Sequence, residues 1–303
     1  MFSLTDNNTT KIFYANGASW QVWNKPANAR FVRFLVLGGG AGGGGGRTSA
    51  VNTATGGGGG GSSAITIAKI PAKFLPDVLY INVGLGGAGG ISSTVGTAGS
   101  LSYISMQPNT TAFNILLQSG DAAPTAGNGG TSSIAGVGGT ASTAWSYANF
   151  VFGELGMITV SAGQNGGAGG NQTSNGVSIT PTLFVTGGAG GGGVSSGTAG
   201  SSHNGGNITG TGFLNTITGG TADSTTILNG DHGWSSFPNN LSYDPIFFTG
   251  GAGGGATNTA SRPAGRGGNG NYGSGGGGGG GAYSSTGGPG GNGGDGLVII
   301  TTN

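Results

Sequence analysis

Side chains able to do acid–base, nucleophilic or metal chemistry are scarce in this chain of 303 residues, which has two histidines, eight carboxylates and no cysteine. Asp231-His232 is the one adjacent acid–histidine pair. A carboxylate beside an imidazole can orient it as a general base, but no third group stands near in sequence, so the pair reads first as part of a solvated loop. Gly193-Val-Ser-Ser-Gly197 fits the esterase pattern G-x-S-x-G. That motif works only on a strand–elbow–helix, and nothing here encodes the helix. Gly290-Gly-Asn-Gly-Gly-Asp-Gly-Leu297 matches a calcium-binding nonapeptide. Such sites share ligands between tandem copies, and a single copy leaves Asp295 a weak calcium candidate, better read as capping the entry to a strand. No lysine follows any glycine run, which removes the Walker phosphate loop, and a dinucleotide turn again lacks its helix. The expectation is a protein without cofactor or enzymatic activity.

Recognition has better material. Trp145, Tyr147, Phe150, Trp234, Phe237 and Tyr243 lie in insertions between glycine-rich stretches, together with Asp231, His232 and Asp244. Aromatic rings stack on sugar rings or apolar protein surface while carboxylates accept from hydroxyls, so these nine are the candidates for receptor contact. About half of the aromatics are expected to plug small cores instead, because isolated aromatic exposure is unfavourable. All nine Lys and Arg lie at or before Lys73 or at Arg262 and Arg266. A nucleic-acid groove needs cations to displace counterions from phosphates, which disfavours that partner across the middle of the chain.

The elements that must position these residues are glycine-rich. Glycine supplies 77 of the 303 residues. Thr286-Gly-Gly-Pro-Gly-Gly-Asn-Gly-Gly-Asp295 bears a side chain at every third position, and the same X-Gly-Gly-X phase recurs at Asn128, Val137, Asn165, Asn204, Thr218 and Arg266. A period of three belongs to neither α-helix nor strand; it is that of polyproline II, about 3.1 Å per residue and without internal hydrogen bonds. Ordering glycine costs about 0.5–1 kcal/mol beyond alanine, so the N–H and C=O groups of these runs must pair with neighbouring segments. Side-chain-free runs such as 275–281 suit the middle of a bundle and X-Gly-Gly runs its outside. Collagen would need uninterrupted repeats and far more than the ten prolines present. Flexible linkers would have no reason to keep phase.

Short apolar and β-branched runs punctuate the glycine. Ile12-Phe13-Tyr14, Trp20-Gln21-Val22-Trp23, the almost wholly apolar run 31–37, the alternating run from Ser63, Val78-Leu-Tyr-Ile-Asn-Val83 and the closing run from Leu297 read as strands. Val185-Thr-Gly-Gly-Ala-Gly-Gly-Gly-Gly193 nearly duplicates Phe248-Thr-Gly-Gly-Ala-Gly-Gly-Gly-Ala256, an internal repeat. The first residues lack a secretory signal pattern, and no apolar run of 18 suits a membrane span. The fold expected is all-β with polyglycine II: a small β framework from the N- and C-terminal strands around a bundle of three-residue-period helices, with surface loops. Its parts are an N-terminal β segment at 1–37, a glycine-rich body at 38–296 and a returning strand at 297–303.

The order Trp23-Asn-Lys-Pro26, apolar strand, Gly38 to Gly46, second glycine run, Val83-Gly-Leu-Gly-Gly-Ala-Gly-Gly90 and terminal Gly-Gly-Asp-Gly-Leu-Val-Ile-Ile300 resembles the glycine-rich domain of bacteriophage tail and virion proteins. It is similar in style to the polyglycine II sandwich adhesins at the tips of long tail fibres. The resemblance covers nearly the whole chain and implies a rigid glycine core whose loops bind a bacterial surface protein or glycan. It further implies synthesis in the host cytoplasm, a place on the virion surface and other virion proteins as partners. A capsid decoration, head fibre or self-assembling filament subunit is the alternative, with a homo-oligomer left open.

Overall fold

The computed structural model describes residues 9–17, 19–49, 53–109, 114–146, 151–181, 184–195, 201–210, 215–223, 225–226, 228–235 and 247–303. Its strands are β1 (Thr9–Tyr14), β2 (Gln21–Asn24), β3 (Phe31–Leu37), β4 (Thr48–Ser49), β5 (Ile65–Pro71), β6 (Val78–Asn82), β7 (Tyr103–Ser105), β8 (Ile115–Gln118), β9 (Ile158–Ser161), β10 (Ala282–Tyr283) and β11 (Leu297–Thr302). One four-residue helix, α1 (Val151–Glu154), precedes β9. The molecule is all-β.

Two antiparallel sheets form a sandwich. A five-stranded sheet has the order β1-β11-β3-β5-β9 and a four-stranded one the order β2-β6-β7-β8. β3 is central, as its apolar run requires, and period-two alternation sends Val32, Phe34 and Val36 to the face between the sheets. There they meet Phe13, Ile300, Leu79, Ile81, Ile104 and Leu117, with Trp23 edge-on to Phe34 at 6.3 Å. Val22 is exposed and Trp23 buried, the opposite faces that their alternation predicts. The other face of the larger sheet carries Leu35, Leu37, Ile65, Leu297 and Ile299, covered by Val185 and Phe248. The framework thus takes more than the chain's terminal strands: β5 to β9 come from between glycine segments.

The strands run directly into the glycine segments. β3 continues as 38–46, 56–61 leads into β5, and 286–296 leads into β11. Bonding between the segments has a three-residue period. Gly39, Gly42 and Gly45 donate to Ser100, Thr97 and Thr94; Gly40, Gly43 and Gly46 donate to Gly294, Gly291 and Gly288; Ala41 and Gly44 donate to Gly61 and Gly58. The segment 38–46 therefore turns each successive donor to a different neighbour.

The side-chain-free run 275–281 lies fully buried among six others. It donates to carbonyls of 186–192, 41–44 and 265–268, and accepts amides from 251–257, 57–60 and 288–291. An ideal Cβ on Gly277 would lie 2.0 Å from the Ala252 carbonyl oxygen, so backbone, not side chain, is what packs here. Successive segments run alternately away from the sandwich and back. Distal turns join them at 91–94 and 131–134, and β7, β8 and β9 return the chain to the sandwich end. The near-duplicate stretches lie side by side and parallel, Val185 bridging Phe248 and the Ala189 and Gly192 amides donating to Gly251 and Gly254.

Candidate binding site

At the edge of the bundle an outer segment has no further segment to accept its outward amides. The X residues of the X-Gly-Gly phase supply those acceptors. Asn292 Oδ1 accepts from the Gly89 amide at 2.9 Å and Asp295 Oδ1 from the Gly86 amide at 2.8 Å. Asn269 Oδ1 accepts from the Asn292 amide at 2.9 Å, and His232 Nδ1 from the Asn269 amide at 2.8 Å. A row of side chains thus ties four outer segments together. Asn175, Asn204 and Asn207 repeat the device, accepting from the amides of Asn204, Ala222 and Gly219. Thr286, Pro289, Asn292 and Asp295 all stand on the exposed face of their segment.

This network fixes the fate of the motifs. Asp295 spends a carboxylate oxygen on a backbone amide, and the described residues contain no group of three or more His, Cys, Asp or Glu able to hold a metal. His232 commits Nδ1 to the Asn269 amide, and neither hydrogen bond nor ion pair joins it to Asp231. The adjacent pair is therefore not an oriented dyad. Ser195, of the G-x-S-x-G match, accepts from the Ser201 amide at 2.7 Å.

The segment 228–232 instead delivers Asp231 and His232 to the rim of a cavity. Its described lining is Asn215, Thr216, Ile217, Asp231, His232, Trp234 and Thr249, around 270 Å3. The floor is held by the backbone: the Asp231 amide donates to Thr218 and the Ala252 amide to Asp231, both at 3.0 Å. Trp234 is clamped by Thr249, whose Oγ1 accepts from the Trp234 amide at 2.6 Å and whose own amide donates to the Trp234 carbonyl at 2.9 Å. With its backbone held, the indole still leaves 48% of Trp234 exposed. An exposed indole on a held backbone, a carboxylate and the exposed Thr216 around one hollow suit a ligand with an apolar face and several hydroxyls.

Of the nine residues singled out from sequence, the structure brings Asp231, His232 and Trp234 together here. Trp145 is placed elsewhere. It is 7% exposed in the sandwich core, and its ring serves stability instead of surface contact. Tyr147, Phe150, Phe237, Tyr243 and Asp244 lie outside the described residues. Sequence reasoning missed the asparagines as acceptors; their recurrence at X positions was the available signal. It also missed Asn215 and Thr249, which only the crossing of segments brings to the cavity.

The glycine-rich domain family matches the chain over residues 15–303. The chain belongs to that family. No curated protein matches it. In this glycine-rich domain the match begins within the sandwich and ends on its last strand, so sandwich and bundle are both part of the matched unit. Among the described residues no helix is long and apolar enough to cross a membrane.

Proposed function

We propose that this glycine-rich domain is a non-enzymatic surface protein of a bacteriophage particle, made in the host cytoplasm, that binds a saccharide of the bacterial surface through loops on a rigid scaffold. The glycine segments are read as polyglycine II helices, since each donates in three directions per three residues to neighbours on different sides. A scaffold bonded this densely lets a loop be held before the ligand arrives, which lowers the ordering cost of binding. The observation that carries the reading is the Trp234 cavity, with its exposed indole on a backbone held by Thr249, beside Asp231.

Binding of the full chain to an array of bacterial polysaccharides tests it. Trp234→Ala is expected to weaken the best-bound glycan by about tenfold, in line with the loss of one aromatic stacking contact of about 0.5–1.5 kcal/mol. Retention of every glycan by Trp234→Ala and Asp231→Ala at wild-type strength, or failure of the wild type to bind any, would remove the saccharide reading.

A further inference from the structure

Among the described residues the outer face of the five-stranded sheet is covered by Val185, Phe248 and Tyr272, toward the bundle. Toward its tip the sheet register sets Thr10, Thr301, Arg33 and Lys69 opposite one another across β1, β11, β3 and β5. Register partners share a face, so these four form a straight row, each about 4.8 Å from the next. Thr10, Arg33 and Lys69 are exposed and Thr301 half-buried.

Two cations directly opposite each other repel, and such pairs normally recruit an acid. Among the described residues none is recruited. Among the described residues the one ion pair is Lys25 with Asp77 at 3.0 Å, and neither Arg33 nor Lys69 has a carboxylate within 4.0 Å. Lys69 Nζ instead lies 5.2 Å from the ring centroid of Phe31, on the same face. Beside the cations, the Thr10 and Thr301 hydroxyls stand 3.1 Å apart, each keeping further hydrogen-bonding capacity. A guanidinium offers a planar fork that pairs bidentately with an oxyanion, and the adjacent ammonium and hydroxyls extend the same line.

We propose that this row is a second binding site, for an acidic polysaccharide bearing sulfate or phosphate esters. One ester oxyanion would bridge Arg33 and Lys69 and relieve their repulsion, with sugar hydroxyls over Thr10 and Thr301. The charge distribution supports it: six of the nine Lys and Arg lie in the sandwich part of the chain and three, Arg47, Arg262 and Arg266, in the bundle, so a polyanion is drawn chiefly to the sandwich end. A lipid surface fits less well, because the exposed Phe31 ring is engaged by Lys69 and the remaining row is polar. The site is separate from the Trp234 cavity, and its failure would leave that proposal standing.

The test uses the full chain and immobilised heparin as the sulfated polysaccharide, with dextran as neutral control and phosphatidylglycerol vesicles as the lipid comparison. The wild type is expected to bind heparin and not dextran. Arg33→Gln with Lys69→Gln should weaken binding by about tenfold. Arg30→Gln with Lys73→Gln, which removes equal charge outside the row, should stay within about twofold, as should Trp234→Ala. Because the first double variant also removes a like-charge contact, its melting temperature should equal or exceed the wild type's, which separates lost binding from lost folding. Equal losses in both double variants, wild-type binding by the row variant, no heparin binding at all, or a preference for the vesicles would each overturn the proposal.

Discussion

The chemistry of this molecule at the level of single residues is decided by what a Cβ would meet. At Gly277 it would sit 2.0 Å from a carbonyl oxygen that is itself bonded to a further segment, so no side-chain rotation can relieve it. Gly277→Ala is expected to cost more than about 3 kcal/mol, or to prevent folding, in a denaturant titration. Asn292→Ala faces solvent and loses only the acceptor for the Gly89 amide, which water can replace; about 0.5–1.5 kcal/mol is expected. Near-equal costs would show that side chains, not backbone approach, set stability. Tyr272 adds a dependence on pH. Burial chiefly, then Tyr14 and Asp295 nearby, hold its hydroxyl above the usual 10.0. The folded chain therefore keeps this proton where the unfolded chain releases it, so stability is full below pH 10 and falls as pH rises through the folded value. Tyr272→Phe should flatten that alkaline decline in urea melts between pH 9 and about 11; an unchanged slope would assign the decline elsewhere.

Phase, more than composition, makes an element here. The stretch 286–295 donates to 274–280 and 87–90 and accepts from 40–46 and 264–273, which leaves one direction for side chains. One glycine inserted after Pro289 would turn Asn292 and Asp295 by about 120° into those neighbours, whereas three would restore the phase one turn later. The single insertion should abolish soluble expression and the triple one lower the melting temperature modestly; the reverse order would refute a three-residue screw. That phase was legible in the sequence, as were the burial of 275–281 and the central place of β3, because each follows from a local period. What the period could not carry was partnership. Nothing near Asn292 names Gly89 as its donor, and nothing near Trp145 says that its ring joins the sandwich core, since both depend on how distant segments are ordered. The pairing of Asp231 with Trp234 and Thr249 was half legible: nearness along the chain suggested the first two, and only the parallel docking of 250–256 supplies the third.

At the scale of the molecule, sandwich and bundle share their backbone without an intervening linker. β3, β5, β9 and β11 each pass into a glycine segment, and Val185, Phe248 and Tyr272 from the bundle's sandwich end cover the outer face of the larger sheet. Fraying either part would strip hydrogen bonds or apolar cover from the other, so the two should unfold as one cooperative unit despite their different local geometry. Buried Trp23 and Trp145 report on the sandwich, while the far-ultraviolet dichroism is dominated by the glycine segments. In a Trp234→Phe background, which removes the exposed indole, the fluorescence and dichroism melts are expected to share one midpoint. Glycine-segment amides of 275–281 should then exchange only through global opening, at the same free energy as the indole protons of the sandwich core. Two separated midpoints, with slow exchange surviving in one part after the other has melted, would instead divide the chain into an N- and C-terminal β unit and an independent glycine-rich body.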